Sequence, residues 1–204
     1  MKTSKKASTR RTGRPLSFDR DAALHQAMLL FWRHGYEATS LNDLTTSMGV
    51  TPPSVYAAFG DKKHLFRESV QLYCSGPTTA KSIVDKADTA RQAAWGLLES
   101  SAIGFTGIDT PPGCLLASST ISCSSAAADV QAELASIRRK IEAQLKSKIT
   151  RDMEAGVMLR DTDASALAGH TMAVIQGMST LARDGAKRGK LLRVAQAAMR
   201  TWPD

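Results

Sequence analysis

Apolar residues recur every three or four positions along most of this chain, which is the spacing that places them on one face of an α-helix. The longest such pattern spans 126–155, and a shorter one spans 19–34 with Asp19 or Ser17 as its N-terminal cap. No alternating pattern of the kind expected for strands stands out. The chain is therefore predicted to be all-α. The apolar positions of the long pattern are Val130, Leu134, Ile137, Ile141, Leu145 and Ile149.

Turn-forming residues separate an N-terminal group of predicted helices from a C-terminal group. Ser75, Gly76 and Pro77 interrupt the apolar spacing and mark a boundary between the two groups. Beyond that boundary, helices are predicted over 78–101 and 190–201. The other C-terminal features are a loop over 105–112, a short apolar segment over 113–121 and a helix that Asp163 caps.

The stretch 41–66 predicts two short helices joined by a sharp turn, followed by the start of a third. Leu41, Leu44 and Met48 share one face of the first helix, and Gly49 follows where a helix end favours a left-handed residue. Two helices joined in this way form a helix-turn-helix, whose second helix enters the major groove of DNA. A helical hairpin in any all-α protein gives a similar pattern, so this alternative stays open at this point.

The start of the second helix of this pair is well marked. Pro52 and Pro53 lie in its first turn, where a missing backbone N–H costs little. Because Pro53 has no N–H to offer, the Thr51 hydroxyl is predicted to cap the helix by accepting from the N–H of Ser54.

Several residues around this turn are candidates for contact with DNA. Tyr56 follows an inward-facing residue, so its hydroxyl can point outward to a phosphate, and Lys62 can reach the same backbone. Thr39 and Ser40 lie at the start of the first helix of this pair, whose N-terminal amides can hold a phosphate. Ala57 offers a base only apolar contact, so DNA shape is expected to carry much of the specificity. The candidate DNA-binding residues are Arg14, Thr39, Ser40, Thr51, Pro52, Ser54, Tyr56, Ala57 and Lys62.

The basic residues of the chain are concentrated at its start. The 204 residues carry a formal charge of +8, and six basic residues with no acidic one lie within 1–14. One interpretation is a solvated tail. The other, which we favour because the segment precedes the predicted DNA-binding unit, is an arm that follows the phosphates or the minor groove and presents Arg14. Attraction to a membrane is the weaker alternative, because no amphipathic basic helix accompanies the arm.

Two segments of this region, FWRHGYEATSLNDLTTSMGV and TPPSVYAAFGDKKHLF, resemble the N-terminal signature of the TetR family of bacterial transcription repressors. The resemblance covers about the first third of the chain and departs at Ala57 and Ala58, where many members carry larger residues. It implies a homodimer that binds a pseudo-palindromic double-stranded DNA operator and is released by a small-molecule effector. The implied domains are a flexible basic arm over 1–16, a three-helix DNA-binding domain over 17–75 and a helical bundle for ligand binding and dimerisation over 76–204.

Small residues are frequent in the last two predicted helices, for example Gly169, Ala173 and Gly177. Small side chains let helices approach closely, either inside one subunit or across a two-fold seam in which each subunit contributes two helices. The family resemblance favours the two-fold seam, so we predict a dimer formed by these helices.

No short motif identifies an effector. The mostly apolar candidates predict an uncharged or amphipathic small molecule. The candidate ligand-binding residues are Trp95, Phe105, Leu116, His170, Met172 and Gln176.

The chain has three cysteines, and an odd number argues against a disulfide framework. Each of Cys74, Cys114 and Cys123 can be a small buried hydrophobe. The alternative is an electrophile or oxidant sensor, since a similar placement of Cys114 and Cys123 occurs in some TetR-like regulators. Gly113 could leave Cys114 at a helix N-terminus that lowers its thiol pKa. A disulfide to Cys123 would need a break in the helix, because nine residues of straight helix rise about 13.5 Å.

Other classes of function find little support in the sequence. No phosphate-binding glycine loop, nucleophile elbow or di-iron motif occurs, so neither an enzyme nor a cofactor is predicted. The histidines lack the spacing of metal ligands, so no metal is predicted. No apolar run of transmembrane length and no secretory signal occur, so a cytoplasmic protein is expected. Two alternatives remain, an architectural DNA-binding protein without an effector and a helical enzyme or carrier that has lost DNA binding.

Overall fold

A computed structural model describes residues 18–76, 78–118 and 127–203, and the regular structure in these ranges is entirely helical, which confirms the all-α prediction. None of the helices in these ranges has the length and hydropathy needed to cross a membrane. The helices are α1 (Arg20–His34), α2 (Leu41–Met48), α3 (Pro52–Phe59), α4 (Lys62–Cys74), α5 (Ala80–Lys86), α6 (Ala90–Gly104), α7 (Leu115–Ser118), α8 (Ala128–Glu154), α9 (Ala164–Arg183) and α10 (Arg188–Met199).

The first helix begins and ends where the sequence indicates. The Asp19 carboxylate accepts hydrogen bonds from the N–H groups of Asp21 and Ala22 at 3.0 and 3.1 Å, so Asp19 is the cap. Ser17, the alternative cap, lies outside the described residues. Gly35 ends α1 with a φ of 84°, a conformation that only glycine adopts without strain.

The turn between α2 and α3 has the predicted form, with one correction. Gly49 is left-handed, at φ 66° and ψ 32°, and reverses the chain after α2. The prediction that the Thr51 hydroxyl accepts from the N–H of Ser54 is wrong. That N–H donates to the Thr51 carbonyl oxygen at 3.0 Å, and the two side-chain hydroxyls bond to each other at 2.9 Å.

The single helix predicted over 78–101 is also wrong, because the chain forms two helices there. Ala87 is extended at φ −72° and ψ 136°, which ends α5. Thr89 then starts α6 in a capping box with Gln92, in which each side chain binds the other residue's backbone N–H. The Thr-x-x-Gln pattern in the sequence is the signal for this second start, and α6 continues to Gly104.

A hydrophobic core surrounds α1 and α4. Phe31 and Phe66 meet edge to face with ring centroids 5.0 Å apart, and Tyr36 packs on both rings. The same core includes buried residues of α7 and the first turns of α8, such as Leu115 and Leu134. Residues on both sides of position 76 therefore share this core. The domain boundary at 75/76 stays a prediction.

A second core lies among α6, α8, α9 and α10. Its fully buried members include Leu98, Leu145 and Met178. Asp152 of α8 is buried as well, and its carboxylate accepts the first N–H of α6, that of Ala90. This bond satisfies a helix-end donor that would otherwise be buried without a partner, so it ties α6 to α8.

Candidate nucleic-acid interface and ligand cavity

Helix α3 presents one side to solvent and buries the other. Val55 and Phe59 are 0% and 4% exposed, which anchors the helix on α1 and α4. Tyr56 is 53% exposed, and the exposed side chains of α3 and its N-cap form a continuous outer face. We call this the α3 outer face, and it consists of Thr51, Pro52, Pro53, Tyr56 and Ala57, flanked by the half-buried Ser54.

The start of α2 differs from the predicted phosphate site. Thr39 is only 1% exposed, and its hydroxyl donates to the Gly35 carbonyl oxygen at 2.6 Å, so it faces the interior. Ser40 is exposed and forms a capping box with Asp43. The hydrogen bonds from Ser40 hold the pKa of the Asp43 carboxyl below its ordinary value. The Asp43 carboxylate thus accepts from the backbone N–H and the hydroxyl of Ser40 at the start of α2.

Lys62 lies at the first position of α4, beside the end of α3. Its ammonium nitrogen is 4.6 Å from the centroid of the Tyr36 ring, a cation–π contact. Burial lowers the pKa of Lys62, and the nearby carboxylates of Glu37 and Asp43 oppose that shift. The side chain is half-buried at the rim of the α3 outer face.

Arg20 fixes the C-terminal end of α3, a role that the sequence did not indicate. Its guanidinium forms an ion pair of 2.7 Å with Glu68 of α4 and donates to the Ala58 carbonyl oxygen at 3.3 Å. It also lies 4.4 Å from the Phe59 ring centroid. The hydrogen-bond partners are 38 and 48 positions away in the chain, so no local pattern could reveal them.

An ion-pair network joins α4 to α8. Lys63 binds Asp129 at 2.9 Å, and the Nε of Arg67 donates to both carboxylate oxygens of Glu133 at 2.9 and 3.0 Å. The hydrogen bond to Asp129 raises the pKa of Lys63, and the same bond lowers the pKa of the Asp129 carboxyl. We call Lys63, Arg67, Asp129 and Glu133 the α4–α8 network. These ion pairs bind α8 directly to α4, the helix that follows α3.

A second junction joins α1 to α7 and α9. Arg183 of α9 donates to the carbonyl oxygens of Trp32 and Arg33 at 3.2 and 2.8 Å, which caps the end of α1. The Cys114 N–H donates to the Ser179 hydroxyl at 2.8 Å, so the start of α7 is bound to α9 as well.

A cavity of about 460 Å³ lies among α4, α5, α6, α7, α8 and α9. Phe105, Leu116, Met172 and Gln176 lie in its wall, as the candidate ligand-binding residues should. The other two candidates do not. Trp95 packs against the second core. The Nδ1 of His170 lies 3.5 Å from the Thr201 hydroxyl. Both residues are on faces of α6 and α9 that do not line the cavity.

Two cysteines also line the cavity, Cys74 at the end of α4 and Cys114 just before α7. The Tyr73 hydroxyl lies 3.4 Å from the Cys114 sulfur. Burial raises the pKa of the Cys114 thiol, although the Tyr73 hydroxyl and the amides of Ala117 and Leu116 act in the opposite direction. The helix N-terminus therefore lowers the pKa as expected, but burial outweighs it and the net shift is upward. Burial likewise raises the pKa of Cys74 to about 11.

Some predicted features lie outside the described residues, namely the arm over 1–16 with Arg14, and Cys123. Within the part of the chain that the structure describes, no group of three or more His, Cys, Asp or Glu residues could hold a metal ion.

The small residues of α9 and α10 fall into two sets. Ala168 and Ala195 are fully buried and pack within the subunit. Ala173, Gly177 and Ala197 are exposed on the outer surface of these helices. Packing inside the subunit therefore accounts for the buried set, and the predicted two-fold seam concerns only the exposed set.

The exposed α3 outer face, set after a left-handed glycine turn and held by α1 and α4, defines a helix-turn-helix regulator with a helical C-terminal part. The family model for bacterial regulatory proteins of the tetR family matches residues 23–69. The HTH-type transcriptional repressor ComR of Escherichia coli (strain K12) is 35% identical over 205 residues, which cover 94% of this chain and 92% of ComR. The chain therefore belongs to the TetR family of transcriptional regulators, and the predicted family is confirmed.

Solved structures give the same result. A cysteine mutant of the TetR family transcriptional regulator CifR, complexed with 26-bp double-strand operator DNA, matches with a TM-score of 0.88 and 36% identity. The match covers 94% of this chain and 100% of that one. The TetR family regulator PfmR of Thermus thermophilus matches with a TM-score of 0.63 at 21% identity over 90% of this chain and 97% of its own, a likeness of fold alone.

Proposed function

We propose that this protein is a dimeric transcription repressor that binds a pseudo-palindromic operator and releases it when a small molecule occupies the cavity. The observation that carries the proposal is the position of the cavity. Its wall includes Tyr73 and Cys74, which end the helix that begins beside the α3 outer face. A change in the cavity therefore acts on an element that positions the DNA-binding surface.

The α3 outer face would enter the major groove. Tyr56 and Lys62 would contact phosphates, together with Ser40, while Thr51, Pro52, Ser54 and Ala57 would face the bases. CifR, whose structure was solved with operator DNA, supports this placement through its overall similarity. Thr39 is left out because it is buried. Arg14 and the basic arm would add contacts to phosphates or the minor groove.

The proposed dimer would use the exposed small residues of α9 and α10. Gly177 has no atom within 4 Å of where a β-carbon would lie, so its surface is open to a partner helix. Two such helices from each subunit would form a four-helix seam and hold the two α3 helices about 34–36 Å apart, the repeat of the major groove.

Release would be a shift between two dimer conformations. An effector that fits the cavity better in the conformation with the wrong spacing favours that conformation and lowers operator affinity. The cavity favours this proposal over an architectural protein without an effector, since a fully packed C-terminal core would have supported the latter.

A thiol-sensing repressor is the second candidate, and the two thiols in the cavity wall favour it. The sulfur of Cys114 or Cys74 could add to the β-carbon of a small α,β-unsaturated carbonyl compound in the cavity. The S–C bond forms as the C=C π bond breaks, and the thiol proton is transferred to the α-carbon. The raised pKa of both thiols opposes this chemistry, because the thiolate is the reactive form. Non-covalent binding is therefore the first proposal.

The test is recovery and sequencing of genomic DNA bound by the protein, followed by fluorescence anisotropy with the recovered sequence. We expect one dimer to bind a site with two half-sites, and Tyr56→Ala to weaken binding at least tenfold. His25→Ala, on an exposed part of α1, is the matched control. No enrichment of any sequence, or equal binding by both variants, would count against the proposal.

A further inference from the structure

The charged residues in the described wall of the cavity all have the same sign. Lys81 comes from α5, and Arg138 and Lys140 come from α8. No Asp or Glu is among the described residues that line the cavity. Most of the remaining wall is apolar, including Ile83, Leu97, Phe105, Ile141, Met172 and Ile175. The cavity is thus a largely apolar space whose charged wall residues are all cationic.

Of the three cations, Arg138 is the one set into the wall. Lys81 is exposed and forms an ion pair with Asp85, one turn further along α5, and Lys140 is exposed. Arg138 is half-buried, and its guanidinium donates to the carbonyl oxygen of Leu116, which is also a wall residue.

The Leu116 carbonyl uses only part of what a guanidinium can offer. Arginine has five N–H donors in a rigid fork. Among the described residues, no carboxylate forms an ion pair with Arg138, in contrast to Arg20 and Arg67. The segment 119–126, which follows α7, contains no acidic residue that could supply one.

A guanidinium set into an apolar wall, with donors that no carboxylate uses, can bind an anion that matches its fork. Resting on the proposed function, we propose that the effector is an amphipathic organic anion, whose carboxylate binds Arg138 and whose apolar body lies against the aliphatic and aromatic wall. Lys140 adds a second positive charge to the wall, whereas the charge of Lys81 is paired with Asp85. Arg138 and Lys140 disfavour a cationic ligand.

The position of Arg138 connects this binding to the DNA-binding surface. It lies on α8, five residues after Glu133 and nine after Asp129, the two carboxylates of the α4–α8 network. The anion would bind the donors of the guanidinium that the Leu116 carbonyl leaves free, so the same side chain would join the effector to the contact between α7 and α8. Binding of the anion therefore acts on the same helix that holds α4.

The test compares octanoate with 1-octanol, which share the apolar body and differ in the head group. Binding to the full-length protein is measured by calorimetry at neutral pH. We expect octanoate to bind at least tenfold more tightly than octanol, because a charge-assisted bidentate bond is replaced by a neutral one. Equal affinities, tighter binding of the alcohol, or failure of octanoate to bind overturns the proposal.

Variants of the arginine assign the effect to its side chain. Arg138→Gln should remove the preference for octanoate, and Arg138→Lys should keep part of it, since the charge stays but the fork is lost. Arg139→Gln, at the next position along α8, should leave the preference unchanged, because that residue does not line the cavity. A preference that survives Arg138→Gln places the carboxylate elsewhere and overturns the assignment. If a variant fails to fold, the relative affinities of octanoate and 1-octanol for the wild-type protein test the proposal.

Operator binding is measured in parallel so that the two proposals fail separately. If a neutral ligand releases the operator and octanoate does not bind, the repressor function stands and the anion proposal is wrong. If the protein binds no operator but still prefers octanoate through Arg138, the cavity assignment stands and the repressor proposal is wrong.

Discussion

The indole N–H of Trp32 on α1 donates a hydrogen bond of 3.0 Å to the carbonyl oxygen of Gly113, the residue before the cavity-lining Cys114. Gly113 has a φ of 83°, and a β-carbon there would lie 2.9 Å from the Ser179 carbonyl oxygen. The helix that opens the DNA-binding part is thus bonded to a crowded turn at the cavity. Glycine is required at this turn both for its conformation and for its close approach to α9.

The first prediction compares two left-handed glycines. Gly113→Ala should lower the free energy of unfolding by more than the roughly 1–2 kcal/mol expected for left-handed strain alone, because the new methyl group also meets α9. Gly156→Ala is the control, since its φ is 75° but no atom lies within 4 Å of a β-carbon. Chemical denaturation measures both, and equal losses would show that crowding at Gly113 is unimportant.

The second prediction concerns the support of α3. Arg20→Met keeps much of the apolar stem but removes the ion pair with Glu68, the bond to the Ala58 carbonyl and the contact with Phe59. Stability should fall by only about 1 kcal/mol, because the pair is one-third exposed. Operator affinity should fall further, by about tenfold, because the end of α3 loses its anchor.

Anisotropy titrations compare the operator affinities of Arg20→Met and of the control variant Arg139→Met. The control removes an arginine from α8, which is far from α3 in the sequence. If both variants bind the operator equally well, Arg20 does not position α3.

The third prediction concerns the basic arm. Deleting residues 1–14 removes six positive charges and should flatten the slope of log affinity against log salt concentration. Each lost phosphate contact should reduce the slope by about 0.9. Affinity is measured at several salt concentrations for both proteins. An unchanged slope would mean that the arm remains solvated when DNA is bound.

The elements that the sequence predicted best are those with local signals. Asp19 and Gly35 delimit α1, and Gly49 sets the turn before α3, each through contacts within a few residues. The break between α5 and α6 had a local signal too, the Thr89–Gln92 capping box, but the apolar spacing ran across it. The capping box, and not the apolar spacing, therefore sets where α6 begins.

The site residues that escaped prediction depend on contacts distant in sequence. Arg20 and Arg67 find partners 48 and 66 positions away, and no periodicity reports such pairs. Trp95 and His170 show the converse case, since both are candidate ligand-binding residues and neither lines the cavity. Each lies on a helix next to the cavity, yet the rotation of that helix about its axis is set by packing that the sequence alone does not reveal.

The fourth prediction concerns assembly. Gly177→Leu should leave the folded subunit intact, because the site is exposed and has open space around it, but should block close approach of a partner helix. We expect sedimentation to show a shift toward monomer, with a parallel loss of operator affinity. Ala143→Leu, exposed on α8, is the control. A wild-type protein that is monomeric at micromolar concentration would contradict the proposed dimer directly.

The fifth prediction uses the raised pKa values of the cavity thiols. Burial favours the neutral thiol in the folded protein, so the folded pKa of Cys74, about 11, lies above its ordinary value of 9.0. The stability contributed by this group is fully present below pH 9 and is lost as the pH rises through about 11. Cys74→Ala should therefore reduce the loss of stability between pH 9 and 11 in denaturation measurements. An identical pH profile for the two proteins would mean that the buried thiol does not control it.

The same thiols decide between non-covalent and covalent sensing. With both pKa values raised, iodoacetamide should label Cys74 and Cys114 of the native protein slowly near pH 7 and faster as the pH increases, as peptide mapping measures. Cys114→Ser should lose the part of the labelling that belongs to Cys114. Operator binding should then survive brief treatment with a mild electrophile at neutral pH. If instead wild type reacts rapidly at about pH 7 and loses the operator, while Cys114→Ser retains it, a conformation of the protein must expose a thiolate that the buried geometry disfavours. That result would make thiol sensing the primary function of the cavity.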